Sequence, residues 1–231
     1  MTTAFITGAS RGLGLEFVRQ FARAGCSVVA TCRNPDAAAK LRAEAHAAAG
    51  KIEIHALDAA SRASINRLAA QFKGRPIDYL ICNAAISGNK TGAADELDEA
   101  QWIEVFRTNV MGPTFLAGAF ADCVAASERR VMAFISTRQA IIRDNVRGRY
   151  YMYRSSKTAL NACVKNLSID YADKGVACMA FHPGFVRTDM GGPAGLIDAD
   201  ASVSGLMKLL LGAGPGHNGR FFEFTGIELN W

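Results

Sequence analysis

The chain has 231 residues, half of them hydrophobic and a fifth charged, with 26 Lys and Arg against 21 Asp and Glu for a formal charge of +5. That composition excludes a disordered chain, and the length suits a single domain, residues 1–231, around one sizeable core. The basic residues form no long run, which argues against nucleic acid as a partner but leaves room for a basic pocket that takes a phosphorylated ligand.

Six cysteines (Cys26, Cys32, Cys82, Cys123, Cys163, Cys178) are widely spaced, with no Cys-x-x-Cys, and most lie in apolar runs. They read as small buried residues in a reducing compartment, and no metal site is expected. The first residues lack a basic leader, and no apolar run reaches the ~18 residues of a spanning helix. A cytoplasmic protein without a membrane contact is therefore expected.

In chain order, the run Ala4 to Thr7 predicts a strand stopped by Gly8. Ser10, Arg11, Gly12, Leu13 and Gly14 follow, and Leu13, Phe17, Phe21 and Ala24 recur at helical spacing. A strand, glycine turn and helix allow the backbone to approach a pyrophosphate, with the helix N-terminus facing its charge. A tight turn without a ligand is the other reading, because the spacing Gly-x-x-x-Gly-x-Gly departs from the usual dinucleotide fingerprint. Residues 25–33 predict the second strand. An NAD site would carry a carboxylate at its end, on the ribose 2′-hydroxyl; here Cys32 is followed by Arg33. With Arg11, two guanidinium groups could flank a 2′-phosphate, so NADP(H) is favoured over NAD(H).

An alanine-rich helix is predicted over 35–49 and a third strand over 51–57. Asp58 at its end either touches the adenine side of a nucleotide or caps the next helix. A helix over 61–73 and a strand over 76–82 lead to Asn83, Ala84 and Ala85, small residues that permit close approach, with an Asn that could equally brace neighbouring strands. A long helical pattern from Asp98 to about Ala126 contains Asn109, Gly112 and Pro113, and so should be distorted there. Asn109 either serves a water at that distortion or merely satisfies it. A fifth strand over 130–135 ends at Ser136 and Thr137. A helix to about Asp173, a sixth strand over 176–181, a Gly- and Pro-rich segment (about 188–202) expected to be mobile as a substrate lid, a helix over 202–211 and a strand over 220–223 complete the chain. Strands alternating with helices predict a single α/β Rossmann-type domain, a doubly wound parallel sheet of seven strands with helices on both faces.

Tyr153 and Lys157 stand four residues apart with no helix breaker nearby, hence on one helical face. A tyrosine hydroxyl is a poor proton donor at neutral pH until a neighbouring cation favours its phenolate, which a lysine one turn away is placed to do. The candidate residues at 8–14, 58, 83, 137, 153 and 183 all fall at strand ends on one sheet edge.

Taken together, Thr7-Gly8-x-x-x-Gly12-x-Gly14, Asn83-Ala84-Ala85, Asn109, Tyr153-x-x-x-Lys157 and Pro183-Gly184-x-Val186-x-Thr188 resemble the short-chain dehydrogenase/reductase family over essentially the whole chain. The stretches around Tyr153 and after Pro183, with Trp231, look like its C-factor and sniffer-type carbonyl reductase branch. The resemblance implies a carbonyl/alcohol oxidoreductase with Tyr153 as general acid or base and Lys157 lowering its pKa and holding the nicotinamide ribose. It gives Asn109 a relay water, and sets Thr188 and Val186 on the nicotinamide amide and Asn83 and Ala84 on the adenosine ribose. It also implies a homodimer or homotetramer. Two departures stand out. Ala85 replaces the usual glycine, and the catalytic serine position falls on Thr137, with Ser136 before it. Strand alternation lets only one hydroxyl serve, and Thr137 is chosen. The short apolar lid (Phe185, Met190, Leu196, Ile197) suggests an uncharged or aromatic small-molecule carbonyl. A nucleotide-binding regulatory or signalling protein with little turnover is the alternative.

Overall fold

The computed structural model describes residues 2–90 and 92–231. The least polar runs of the sequence, β1 (Thr3–Thr7), β4 (Tyr79–Cys82) and β5 (Val131–Ile135), lie side by side in the middle of one sheet and are almost wholly buried. Around them stand β2 (Ser27–Cys32) and β3 (Ile52–Ala56) on one side, and β6 (Ala177–His182) and β7 (Phe221–Glu223) on the other, all parallel. The chain begins at the centre, runs outward to β3, returns past β1 to β4 and then runs outward the other way. The reversal between β1 and β4 opens a crevice at the strand ends, where ligands of such sheets bind.

Period-two alternation divides the side chains between two cores. Ala4 and Ile6 pack on one face with α1 (Gly12–Arg23) and α7 (Ala199–Leu211). Phe5 packs on the other with Phe72 and Phe120, at ring centroid distances of 5.5 and 4.7 Å. Helix α2 (Ala39–Ala47) lies on the first face through Leu41, and α3 (Arg62–Gln71) on the second through Ile65 and Leu68. Among the described residues all six cysteines are free and five are buried. No described helix is long and apolar enough to cross a membrane.

The expected seven parallel strands are present, and an eighth is added. β8 (Glu228–Leu229) pairs antiparallel with β7, and Trp231 stacks on Phe221 at 5.7 Å. Two residues are too few to show a period, so the sequence pattern passes over it.

The single helix predicted over 98–126 is three pieces: α4 (Glu99–Phe106), a π-helical turn over Arg107–Met111, and α5 (Gly112–Ala125). Pro113 has no N–H to give the carbonyl of Asn109, so the regular ladder must lapse at that residue. Gly112 allows the close approach that follows, since a Cβ there would stand 2.2 Å from the carbonyl oxygen of Ala59. Gly112→Ala is expected to lower the unfolding free energy by about 2 kcal/mol in a urea titration, because overpacking against backbone outweighs the better helix propensity of alanine.

Candidate active site

Tyr153 and Lys157 occupy the first two turns of α6 (Tyr151–Asp170). Three consecutive left-handed residues, Gly148, Arg149 and Tyr150 (φ 63°, 57° and 55°), set its entry. Two of them are not glycine and cost roughly 1 kcal/mol or more each, strain of a kind that collects at functional sites. Lys157 is 2% exposed, and its Nζ donates to the carbonyl oxygen of Ile135, at the end of β5, at 2.7 Å. Burial brings its ammonium down to about 8, slightly opposed by Cys82.

The half-buried Tyr153 has its ring centroid 5.9 Å from that Nζ. Burial raises its phenol to about 12, with the hydrogen bond to the Thr137 side chain acting in the opposite direction. The lowering by Lys157 expected from spacing alone is not seen here: burial dominates at Tyr153.

The two adjacent hydroxyls separate as strand alternation requires. Ser136 Oγ donates to Oδ1 of Asn161 at 2.6 Å in the α6 interface, whereas Thr137 is the one bonded to Tyr153. Asn109 is fully buried in the π turn, where its amide clamps one backbone unit from both sides. Its Oδ1 accepts from Ile86 N at 2.9 Å, and its Nδ2 donates to Ile86 O at 2.8 Å and to Ser156 Oγ at 3.0 Å. Ser156 in turn donates to the carbonyl oxygen of Tyr153 at 2.8 Å. Ser156, Ile86 and Asn161 escaped the sequence analysis. Only the position of Ser156 beside Lys157 could have flagged it.

At the glycine turn, Asn83 braces β1. Its Nδ2 donates to the carbonyl oxygens of Thr7 and Gly8 at 2.9 and 3.3 Å, while Thr7 Oγ1 accepts from the amides of Asn83 and Ala84. A Cβ on Gly14 would lie 2.2 Å from the carbonyl oxygen of Gly8 and 2.6 Å from Asn83 Nδ2, so glycine lets α1 press against the strand. The first turn of α1 has neither a side-chain cap nor an acidic residue, whereas Ser61 caps α3 and Asp98 caps α4. Its leading N–H groups are left for an anion, the chemistry that the pyrophosphate of a dinucleotide would satisfy.

A Cβ on Gly12 would stand 3.5 Å from the Thr188 methyl, and Arg11 Nε pairs with Asp189 at 3.4 Å, so Arg11 turns toward the segment after β6. Arg33 is exposed at the end of β2. Asp58 Oδ1 accepts from the amide of Ala60 and does not cap α3, a role that Ser61 holds. Ser10, Leu13 and Ala85 stay on the same edge, as do Pro183, whose carbonyl accepts from Ser202 Oγ, the left-handed Gly184 and the buried Val186.

The segment after Thr188, expected from composition to be a mobile lid, carries several bonds of its own. Arg187 bonds Asp198 and the carbonyl oxygen of Gly195, Gly191 N donates to Thr188 Oγ1, and Val186 bridges Ile197. Side-chain bonds to backbone close it, and composition cannot register these.

A family model described as short chain dehydrogenase matches residues 2–196. The chain belongs to the short-chain dehydrogenase family. As a member it is an oxidoreductase, and its similarities point to the carbonyl reductase type. The carbonyl reductase Sniffer of Drosophila melanogaster superposes over the full length of both chains with a TM-score of 0.93 and 29% identity. An NADPH-bound carbonyl reductase from chicken fatty liver gives 0.91 at 30% identity, covering 100% of this chain and 98% of that one. The C-signal protein of Myxococcus xanthus is 36% identical over 156 residues, 68% of this chain and 93% of its own.

His182, beside the site at the end of β6, supplies a pH test. Its Nδ1 is buried without a partner. Its Nε2 lies 4.0 Å from Glu223 Oε1, which Arg138 also approaches, at 3.6 Å. Burial lowers it from 6.5 to about 4, with Glu223 acting upward and Arg138 downward. Below pH 6.5 the unfolded chain takes up a proton that the native state refuses until about pH 4. Stability should therefore fall across that window by up to ~3 kcal/mol. The decline, read from urea midpoints at pH 7 and 4.5, should be shallower in His182→Phe.

Proposed function

We propose that this oxidoreductase interconverts a small, mainly apolar carbonyl compound and its alcohol with NADP(H), with Tyr153 exchanging the proton at the carbonyl oxygen. The observation that carries the reading is the Tyr153 hydroxyl held by Thr137 with Lys157 buried beside it. NADP(H), when bound, supplies or accepts the hydride. In this reading Lys157 keeps a positive charge next to the phenol and holds the nicotinamide ribose with the donors that Ile135 leaves over. Asn109 and Ser156 fix the backbone on which Tyr153 sits, and the Asn109 carbonyl, deprived of its donor by Pro113, receives a water on the proton path. A protein that only sensed a nucleotide would have no use for a hydroxyl pair aligned in this way.

For the cofactor, the free helix N–H groups of α1 receive the pyrophosphate, with Gly8 to Gly14 around it. Asn83, Ala84 and Asp58 lie on the adenosine side, and Pro183, Gly184, Val186 and Thr188 on the nicotinamide side. Arg33, standing where a carboxylate would select NAD, favours the 2′-phosphate. The exposed Ile103, Met111, Tyr151 and Ile169 on α4, the π turn and α6 support self-association of the chain through that layer.

Fluorescence titration with NADPH and NADH tests the cofactor assignment. NADPH should bind at least about tenfold more tightly, and Arg33→Ala should erase most of that difference, as the loss of one charge-assisted contact would. Equal binding of the two nucleotides would remove the basis for NADP(H). Thr137→Ala should lower kcat for aldehyde reduction by about 10² or more, whereas Thr137→Ser, which keeps the hydroxyl, should stay within a few-fold.

A further inference from the structure

The stretch that links Thr137 to the end of the first turn of α6, residues 138–154, contains Arg138, Arg143, Arg147, Arg149 and Arg154 against Asp144 alone. Five positive charges less one negative give +4, out of +5 for the whole chain, so the rest of the molecule is close to neutral. The arginines are interleaved with other residues, which is why they do not register as a basic run.

Some exposed cations elsewhere meet a carboxylate from another part of the chain: Arg75 with Glu53, Lys174 with Asp122, Arg187 with Asp198, Arg220 with Glu228. In this stretch Arg138 approaches Glu223 at 3.6 Å. Arg143 reaches only its neighbour Asp144, at 3.5 Å, and Arg147 has no acidic partner among the described residues. Arg154 donates from Nη1 to the carbonyl oxygen of Gln139, while its Nε is buried with no acceptor.

The placement is specific. Thr137 directly precedes the stretch, Tyr153 lies near its other end, and the two are hydrogen-bonded, so the loop leaves from and returns to the proposed reaction site. It leaves the end of β5, on the far side of the β1/β4 crevice from β2 and Arg33, and so lies away from the side assigned to the adenosine phosphates. The loop also presents apolar surface in step with its charge. Ile142 is 76% and Val146 90% exposed, and each directly precedes an arginine. The segment after β6 adds the exposed Phe185 and Leu196.

We infer that the natural substrate of this site carries an anionic group, of the carboxylate class, on an apolar body, and that Arg143 and Arg147 bind that group. The inference rests on the carbonyl reductase reading and narrows its substrate. Exposed guanidinium groups on a stretch of net positive charge suit a carboxylate, which they bind through paired N–H donors, and the interleaved Ile142 and Val146 suit the apolar part.

The test compares NADPH-dependent reduction of 4-carboxybenzaldehyde with that of its neutral counterpart, methyl 4-formylbenzoate, by the full-length protein. The carboxylate should be favoured in kcat/KM by at least about fivefold at low salt, mainly through KM, and the preference should shrink at 0.5 M salt. The ratio should fall toward one in the Arg143→Ala/Arg147→Ala double variant and persist in Arg143→Lys/Arg147→Lys. Equal or better reduction of the neutral ester by the native protein would overturn the inference while leaving the carbonyl reductase reading intact. A preference that survives the double alanine variant would overturn the assignment to these two arginines. Reduction of neither aldehyde would bring down the functional reading, and the inference with it.

Discussion

A buried lysine fixes the geometry of this site. Taking an ammonium out of water is costly unless its donors are met, and Lys157 meets one of them at the carbonyl oxygen of Ile135. That bond joins α6 to the end of β5 and so sets Tyr153 against Thr137. The cation is held close to the phenol at a cost visible in its own lowered pKa. A second layer keeps the arrangement in register. Asn109 grips the backbone of Ile86, and through Ser156 it reaches the carbonyl of Tyr153, so hydrogen bonds tie the π turn, the loop after β4 and α6 together.

The opposing pKa shifts describe a site prepared for another component. Burial raises the phenol of Tyr153 and lowers the ammonium of Lys157, so each is pushed toward its neutral form. An environment that adds polar contacts around Lys157 and orders the crevice would move both groups toward use, since the same low dielectric that penalises lone charges strengthens paired ones. The start of α1 has no side-chain cap, and Arg11 of the glycine turn pairs with Asp189 in the segment after β6.

Much of this was legible in the sequence. Buried strands read as apolar runs bounded by Gly and Pro, and the glycine turn, Asn83, Tyr153 and Lys157 all lie where sheet topology carries strand ends. The distortion near Asn109 also followed from Gly112 and Pro113, though its π-helical form did not, because that depends on how closely α5 must approach Ala59. What stayed hidden depends on contacts distant in sequence. Ser136 is taken up by Asn161, Arg187 bonds Asp198 and Gly195 across the segment after β6, and burial acts on Tyr153 only once the fold has excluded water. β8 is too short for any periodic signal. The charge of the 138–154 loop was in the sequence throughout, but it gains meaning only when the loop is seen to join Thr137 to Tyr153.

Pre-steady-state reduction of an aldehyde by the NADPH-loaded native protein and its Tyr153→Phe variant tests the proton role most directly. The variant is expected to bind NADPH as tightly as the native protein while its reduction rate falls by about 10² to 10⁴, the usual worth of a positioned proton donor. A variant that binds NADPH normally and reduces the aldehyde at the native rate would contradict the assignment of Tyr153, and with it the reading of Thr137 and Lys157 as the groups that serve it.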